Sequence, residues 1–187
     1  MGPLSISIGS VPAAVSNLDN DGTCGSNFAQ SDTILLGPLG EYGAVFQSGS
    51  IGGVTPITPT LVAFPLLPGS AAIDAGAGSL IATPPPQSDC PFIDQRGVVR
   101  PQGSGCDIGA FESQGFTFAK TGGDGQGTPW GSVFATPLAA SISNSHEEPV
   151  NGGIVTFAGP SSGAGAVPIT QTVTVAGGAV SVTVGAN

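Results

Sequence analysis

The stretch Thr172-Val-Thr-Val-Ala-Gly-Gly-Ala-Val-Ser-Val-Thr-Val184 alternates apolar and polar residues on both sides of a glycine pair. A period of two puts one face of a strand in a core and the other in water. The stretch therefore reads as strand, turn, strand, with Val173, Val175, Val180, Val182 and Val184 facing inward. The same alternation recurs at Leu138, Ala140 and Ile142, and at Leu4, Ile6 and Ile8. Short continuous apolar runs, Ile34-Leu35-Leu36 and Leu61-Val62-Ala63-Phe64, read as fully buried strands. Helical periodicity is nowhere convincing, and the predicted fold class is all-β.

Composition supports that reading. The 187 residues include 31 glycines and 17 prolines, which break long helices and favour many tight turns. Such a fraction can also signal disorder. A hydrophobic content of 40% and a mean hydropathy of +0.30 argue instead for a chain with a core to build.

Charge narrows the function classes. Only Arg96, Arg100 and Lys120 are strong cations, against a formal net charge of −9. Nucleic-acid binding needs clustered Lys and Arg, and a polybasic membrane patch needs the same. Both are excluded as expectations, as is direct membrane insertion, since no apolar run reaches spanning length. An acidic, lysine-poor surface suits work outside cells. The opening Met1-Gly-Pro-Leu-Ser5 lacks the basic start and apolar stretch of a signal peptide, so a secretory signal is expected upstream of this segment.

Turn chemistry divides the chain. Thr121-Gly-Gly-Asp-Gly-Gln-Gly-Thr128 reads as a boundary. Upstream of it, bends at Pro56, Pro59, Pro65, Pro68 and Pro84-Pro-Pro86 make an irregular region. Downstream, strand-length segments are separated by turn clusters at 144–149, 151–153, 159–163 and 177–178, the spacing of a small antiparallel sandwich. The expected organisation is 1–115, a linker and first-strand lead-in at 116–128, and a sandwich over 129–187.

Two stretches carry a family resemblance. The first is Leu67-Pro-Gly-Ser-Ala-Ala-Ile-Asp-Ala-Gly76, Asp94-Gln-Arg-Gly-Val-Val-Arg-Pro-Gln-Gly103 and Cys106-Asp-Ile-Gly-Ala-Phe-Glu112. With Asn17-Leu-Asp-Asn-Asp-Gly-Thr-Cys24 upstream, it resembles the choice-of-anchor Q type ending of bacterial right-handed parallel β-helix surface proteins, over about 17–113. Ala71 stands where that family usually has proline, and 42–60 is longer than usual. The second is Gly123-Asp-Gly-Gln-Gly-Thr128, Phe134-Ala-Thr-Pro-Leu138, Glu148-Pro-Val-Asn-Gly152 and Val155-Thr-Phe-Ala-Gly-Pro160. It is similar to bacterial Ig-like domains of the invasin and intimin type, over about 118–187.

The resemblance implies the terminal segment of a right-handed parallel β-helix followed by an incomplete Ig-like β-sandwich lacking its last strand. It further implies an extracellular or surface-displayed bacterial segment that acts as a non-catalytic spacer or stalk. The implied partners are a surface polysaccharide or a host or neighbour-cell protein. An open sheet edge would also allow self-association. The alternatives are a carbohydrate-binding module and the non-catalytic end of a β-helix polysaccharide lyase or glycoside hydrolase.

Candidate sites follow from residue types. Cys90 and Cys106 bracket a short Pro/Gly-rich loop and read as a disulfide, with two buried free thiols as the other reading; Cys24 is then left over. Asp74, Asp94, Asp107 and Glu112 are the carboxylates of the first motif, and Arg96 and Arg100 its cations. Paired acids can run hydrolytic chemistry. In so uncharged a loop region, a structural pairing of Asp94 or Asp107 with Arg96 or Arg100 is the more economical expectation.

Asn17, Asp19 and Asp21 have the opening spacing of a calcium loop, but Phe28 stands where the closing Glu belongs. An Asx-type turn is preferred there, with a looser calcium site as the alternative and no other cofactor. The glycines of 122–127 lack the Lys-Ser/Thr of a phosphate loop. His146, the one histidine, sits in a polar turn, and no triad is evident around it. Phe116, Phe118, Trp130 and Phe134 offer a sugar-stacking platform, or pack at the junction or cover the sandwich edge.

Overall fold

A computed structural model of the chain describes residues 18–21, 23, 29–43, 62–76, 90–160, 165–168 and 170–187. The described residues are all-β, with no helix among them. The strands are β1 (Leu18–Asp19), β2 (Ala29–Gln30), β3 (Thr117–Gly122), β4 (Leu138–Ser143), β5 (Ile154–Ala158), β6 (Ala166–Val167), β7 (Thr170–Thr174), β8 (Ala179–Val182) and β9 (Gly185–Ala186).

The C-terminal half is built as the alternation dictates. Strands β3, β4 and β8 form an antiparallel sheet in that order, with Phe118 opposite Ile142 and Ala140 opposite Val180. Strands β5 and β7 form a second antiparallel pair, with Val155 opposite Val173. The glycine pair Gly177-Gly178, both at positive φ, turns the chain from β7 into β8 and so from one sheet to the other. Ile142, Val175 and Val180 form a buried cluster, against which Phe116, Ala140, Val150, Val155, Phe157 and Val173 pack. Side chains from both sheets thus share one core.

The segment expected as a linker and first-strand lead-in, 116–128, contains a strand. Residues 117–122 are β3, an edge strand with most of its side chains exposed. A bulge between Lys120 and Gly122 and an exposed Lys120–Asp124 ion pair at 2.7 Å mark that edge. Charge and irregularity at an edge discourage pairing with another chain. The glycine-rich turn beyond it is clamped by Gln126, whose Nε2 donates to the Gly123 and Thr136 carbonyls and whose Oε1 accepts the Thr136 amide. The final strand β9 has a neighbour on each side: β6 pairs with it, and Val133 bridges to Gly185 from the other edge.

Among the described residues of the N-terminal half, ladders are few. Strands β1 and β2 pair in parallel, Leu18 against Ala29. Beyond them, the described residues of 31–43, 62–76 and 90–115 are joined by isolated bridges: Leu36–Leu66, Gly40–Ala63, Gly76–Cys106 and Ile93–Val99. The two apolar runs are therefore not fully buried strands. Leu36 is 50% exposed, and Val62 (49%) and Phe64 (53%) flank a buried Ala63. Pro38 and Pro65 follow closely, and neither can donate to a ladder, so each run makes one bridge and shows one face to water. Residues 4–8 and 61 lie outside the described residues.

Candidate functional site

Charge is buried where strands are missing. In the loop region Asp94, Arg96, Arg100, Asp107 and Glu112 are all at most 5% exposed, and Glu148, from the connection between β4 and β5, is 4% exposed. Three of these four carboxylates, Asp94, Glu112 and Glu148, meet the guanidiniums of Arg96 and Arg100 away from water. Such groups persist only if paired and hydrogen-bonded.

Cys90 and Cys106 form a disulfide with Cα atoms 6.0 Å apart, and both residues are buried. The bridge closes a loop that carries both arginines. In the chain-entropy model a loop of this size contributes about 3 kcal/mol. Disulfides persist in oxidising compartments, which places this chain's setting outside a reducing one. Cys24 lies outside the described residues.

Arg96 is the hub. Its Nε meets Asp94 Oδ2 at 2.7 Å and its Nη1 meets Glu148 Oε1 at 3.3 Å. Its Nη2 donates to the Glu112 carbonyl, and its Nη1 also donates to the Tyr42 carbonyl at 3.3 Å. The guanidinium lies 3.5 Å over the Phe111 ring, which Tyr42 meets edge-on. A planar fork with several donors suits this site; a lysine would supply one point charge.

Arg100 is held by Glu112 Oε2 at 3.1 Å and by the carbonyls of Asp107 and Gly109, each at 2.8 Å. Its ion-pair partner is thus Glu112. The carboxylate of Asp107, expected among the ion-pair candidates, accepts backbone amides from Asp74 at 2.8 Å and Ser113 at 2.6 Å.

The other carboxylates also gather amides. Asp94 accepts those of Arg96, Val98 and Glu112. Glu112 accepts those of Gln102 and Asp107. Glu148 accepts the Gln114 amide, the Ser113 hydroxyl and the Asn144 side-chain amide. In a segment without ladders these carboxylates satisfy backbone donors that strands would otherwise satisfy.

Burial raises the Asp107 carboxyl from 3.8 to about 6, against the opposing pull of the Asp74 and Ser113 amides. The nearby Glu112 and Asp74 carboxylates push it the same way as burial. The folded chain consequently holds this proton more tightly than the unfolded chain does. The associated stability is fully present below pH 3.8 and is lost as pH rises through about 6.

The remaining candidates are dispersed. Asn17 lies outside the described residues. Asp19 Oδ1 accepts the Asp21 amide, and Asp21 Oδ1 accepts the Thr23 amide and hydroxyl, which is Asx-turn geometry. Among the described residues no three His, Cys, Asp or Glu side chains are grouped to hold a metal ion. His146 is exposed in a turn where its amide donates to the Asn144 side-chain Oδ1. The four aromatics do not form one platform, because Phe116 packs inward on the Ile142 cluster, whereas Trp130 is 86% exposed. Comparison with protein-family models, curated proteins and solved structures finds no match.

Glu148 is the network member that residue-by-residue reading misses. Its partner Arg96 is 52 residues away, and it stands in a polar turn that looks solvated. Glu112 was visible as a motif carboxylate but not as the partner of Arg100.

Removing the hub should be severe. Arg96→Ala leaves Asp94 and Glu148 buried without their cation, and urea unfolding should show a loss of about 3–5 kcal/mol. An unchanged midpoint would mean that the guanidinium does not hold the loops. Thiol titration of the denatured, unreduced chain should find one free thiol, and reductant should lower the melting temperature; three free thiols would exclude the bridge. Asp107→Asn should gain on the wild type in relative melting temperature as pH rises from 3.8 to about 6, and a pH-independent difference would contradict the assignment.

Proposed function

We propose that this chain is a structural segment of a bacterial secreted or surface-displayed protein, a rigid β spacer with no catalytic role. The loop region is the closing end of a right-handed parallel β-helix, and the C-terminal half is an Ig-like sandwich. The observation that carries the reading is how the motif carboxylates are used. Asp94, Asp107 and Glu112 are buried and turned onto backbone amides and guanidiniums, which is how a loop scaffold is held.

Other features support the parts. The parallel pairing of Leu18 with Ala29 over a short connection suits stacked coils of a β-helix. Two small antiparallel sheets around one core suit a sandwich. The Cys90–Cys106 bridge and an acidic, cation-poor composition suit an extracellular setting. A distal surface, carried by the rest of the protein, would engage a polysaccharide or a neighbouring cell's protein.

An antibody raised against this chain should label intact source cells, or be titrated by their culture medium. Labelling that appears only after the cells are lysed would overturn the assignment.

A further inference from the structure

The connection between β4 and β5 does more than join two strands. From it, Glu148 reaches into the loop region, where it meets Arg96, the Ser113 hydroxyl and the Gln114 amide. A few residues on, the backbone touches the loop region again. The Ile154 amide donates to the Pro68 carbonyl at 2.8 Å. Two glycines permit this approach. A Cβ on Gly69, which is at φ +81°, would lie 2.7 Å from the Ile154 carbonyl oxygen. A Cβ on Gly153 would lie 2.7 Å from the Pro68 carbonyl oxygen.

One short segment thus grips the loop region twice, once by a buried charge and once by backbone contact. The charge is costly to expose or strand: withdrawing Glu148 would leave Arg96 short of one anion and the Gln114 amide without its acceptor. The small core around Ile142 belongs to the sandwich, while the Cys90–Cys106 bridge belongs to the loop region. Neither spans the two.

From this placement we infer that residues 148–154 are a latch that fuses the loop region and the sandwich into one cooperative unit. The junction is held by interlocked backbone and buried charge, and the two halves open together. This deepens the spacer reading and rests on it for its purpose, because a spacer transmits orientation only if its junctions do not swivel.

Native-state hydrogen exchange on the whole chain tests it. The Gly76 and Ile108 amides report the loop region, and those of Ile142 and Val175 report the sandwich. In the wild type the four should exchange with the same protection, that of global unfolding. In Glu148→Ala the loop and sandwich amides should separate by about tenfold or more, with two melting transitions in place of one. Should that variant not fold, Gly153→Val leaves the charge network intact, blocks the approach to Pro68 and should separate the same amides.

Amides that differ already in the wild type would overturn the latch. So would amides that stay equally protected in every variant that folds. Surface labelling fails separately: its loss would remove the spacer reading and leave the exchange result standing, while halves that open independently would remove the latch and leave the surface assignment intact.

Discussion

Everything between the disulfide and the first long strand depends on one buried guanidinium. Arg96 holds Asp94 at 2.7 Å and Glu148 at 3.3 Å, lies against Phe111 and donates to two carbonyls. A guanidinium this far from water survives only because its donors find acceptors on several sides. The requirement is reciprocal. Each acceptor sits on a different stretch of chain, so satisfying the cation fixes the relative positions of Tyr42, Asp94, Glu112 and Glu148.

The carboxylates extend the same logic to the backbone. A loop-rich segment cannot bury amides without partners, and isolated bridges provide few. Asp94, Asp107, Glu112 and Glu148 supply the missing acceptors. Burial, with the neighbouring Glu112 and Asp74 carboxylates adding to it, opposes ionisation of Asp107, and its pKa is pushed up to about 6. The Cys90–Cys106 bridge shortens the loop that must be ordered and so lowers the entropy opposing this arrangement. Disulfide, amide-binding carboxylates and hub arginine together do what strand pairing does elsewhere, alongside buried apolar residues such as Leu66, Leu67 and Phe111.

The C-terminal half solves the same problem by conventional means. Its strands satisfy their own amides, its glycine pair makes the turn between sheets, and its valines and Ile142 supply a small shared core. It takes part in the charged network through the connection between β4 and β5, where Asn144 holds the Glu148 carboxylate that meets Arg96. Two regimes of stabilisation, buried charge and strand pairing, therefore meet at a single connection.

Period-two alternation made β4, β7 and β8 readable in advance, because it is a local property of the strand and needs no knowledge of the partner. Glycine, proline and polar clusters likewise marked the turns at 145–146, 151–152 and 177–178, and the Cys90–Cys106 pairing was open to a reading of the loop it brackets. Local pattern misled at Val62-Ala63-Phe64, where an apolar run suggests full burial and the neighbouring proline prevents a ladder. Asp107 and Glu112 stand five residues apart, and both accept backbone amides, yet only Glu112 also pairs with an arginine. That division, and the recruitment of Glu148 from a polar turn 52 residues beyond Arg96, were decided by tertiary structure alone. Burial and partner choice depend on which distant segments exclude water from a side chain, and no local spacing encodes that.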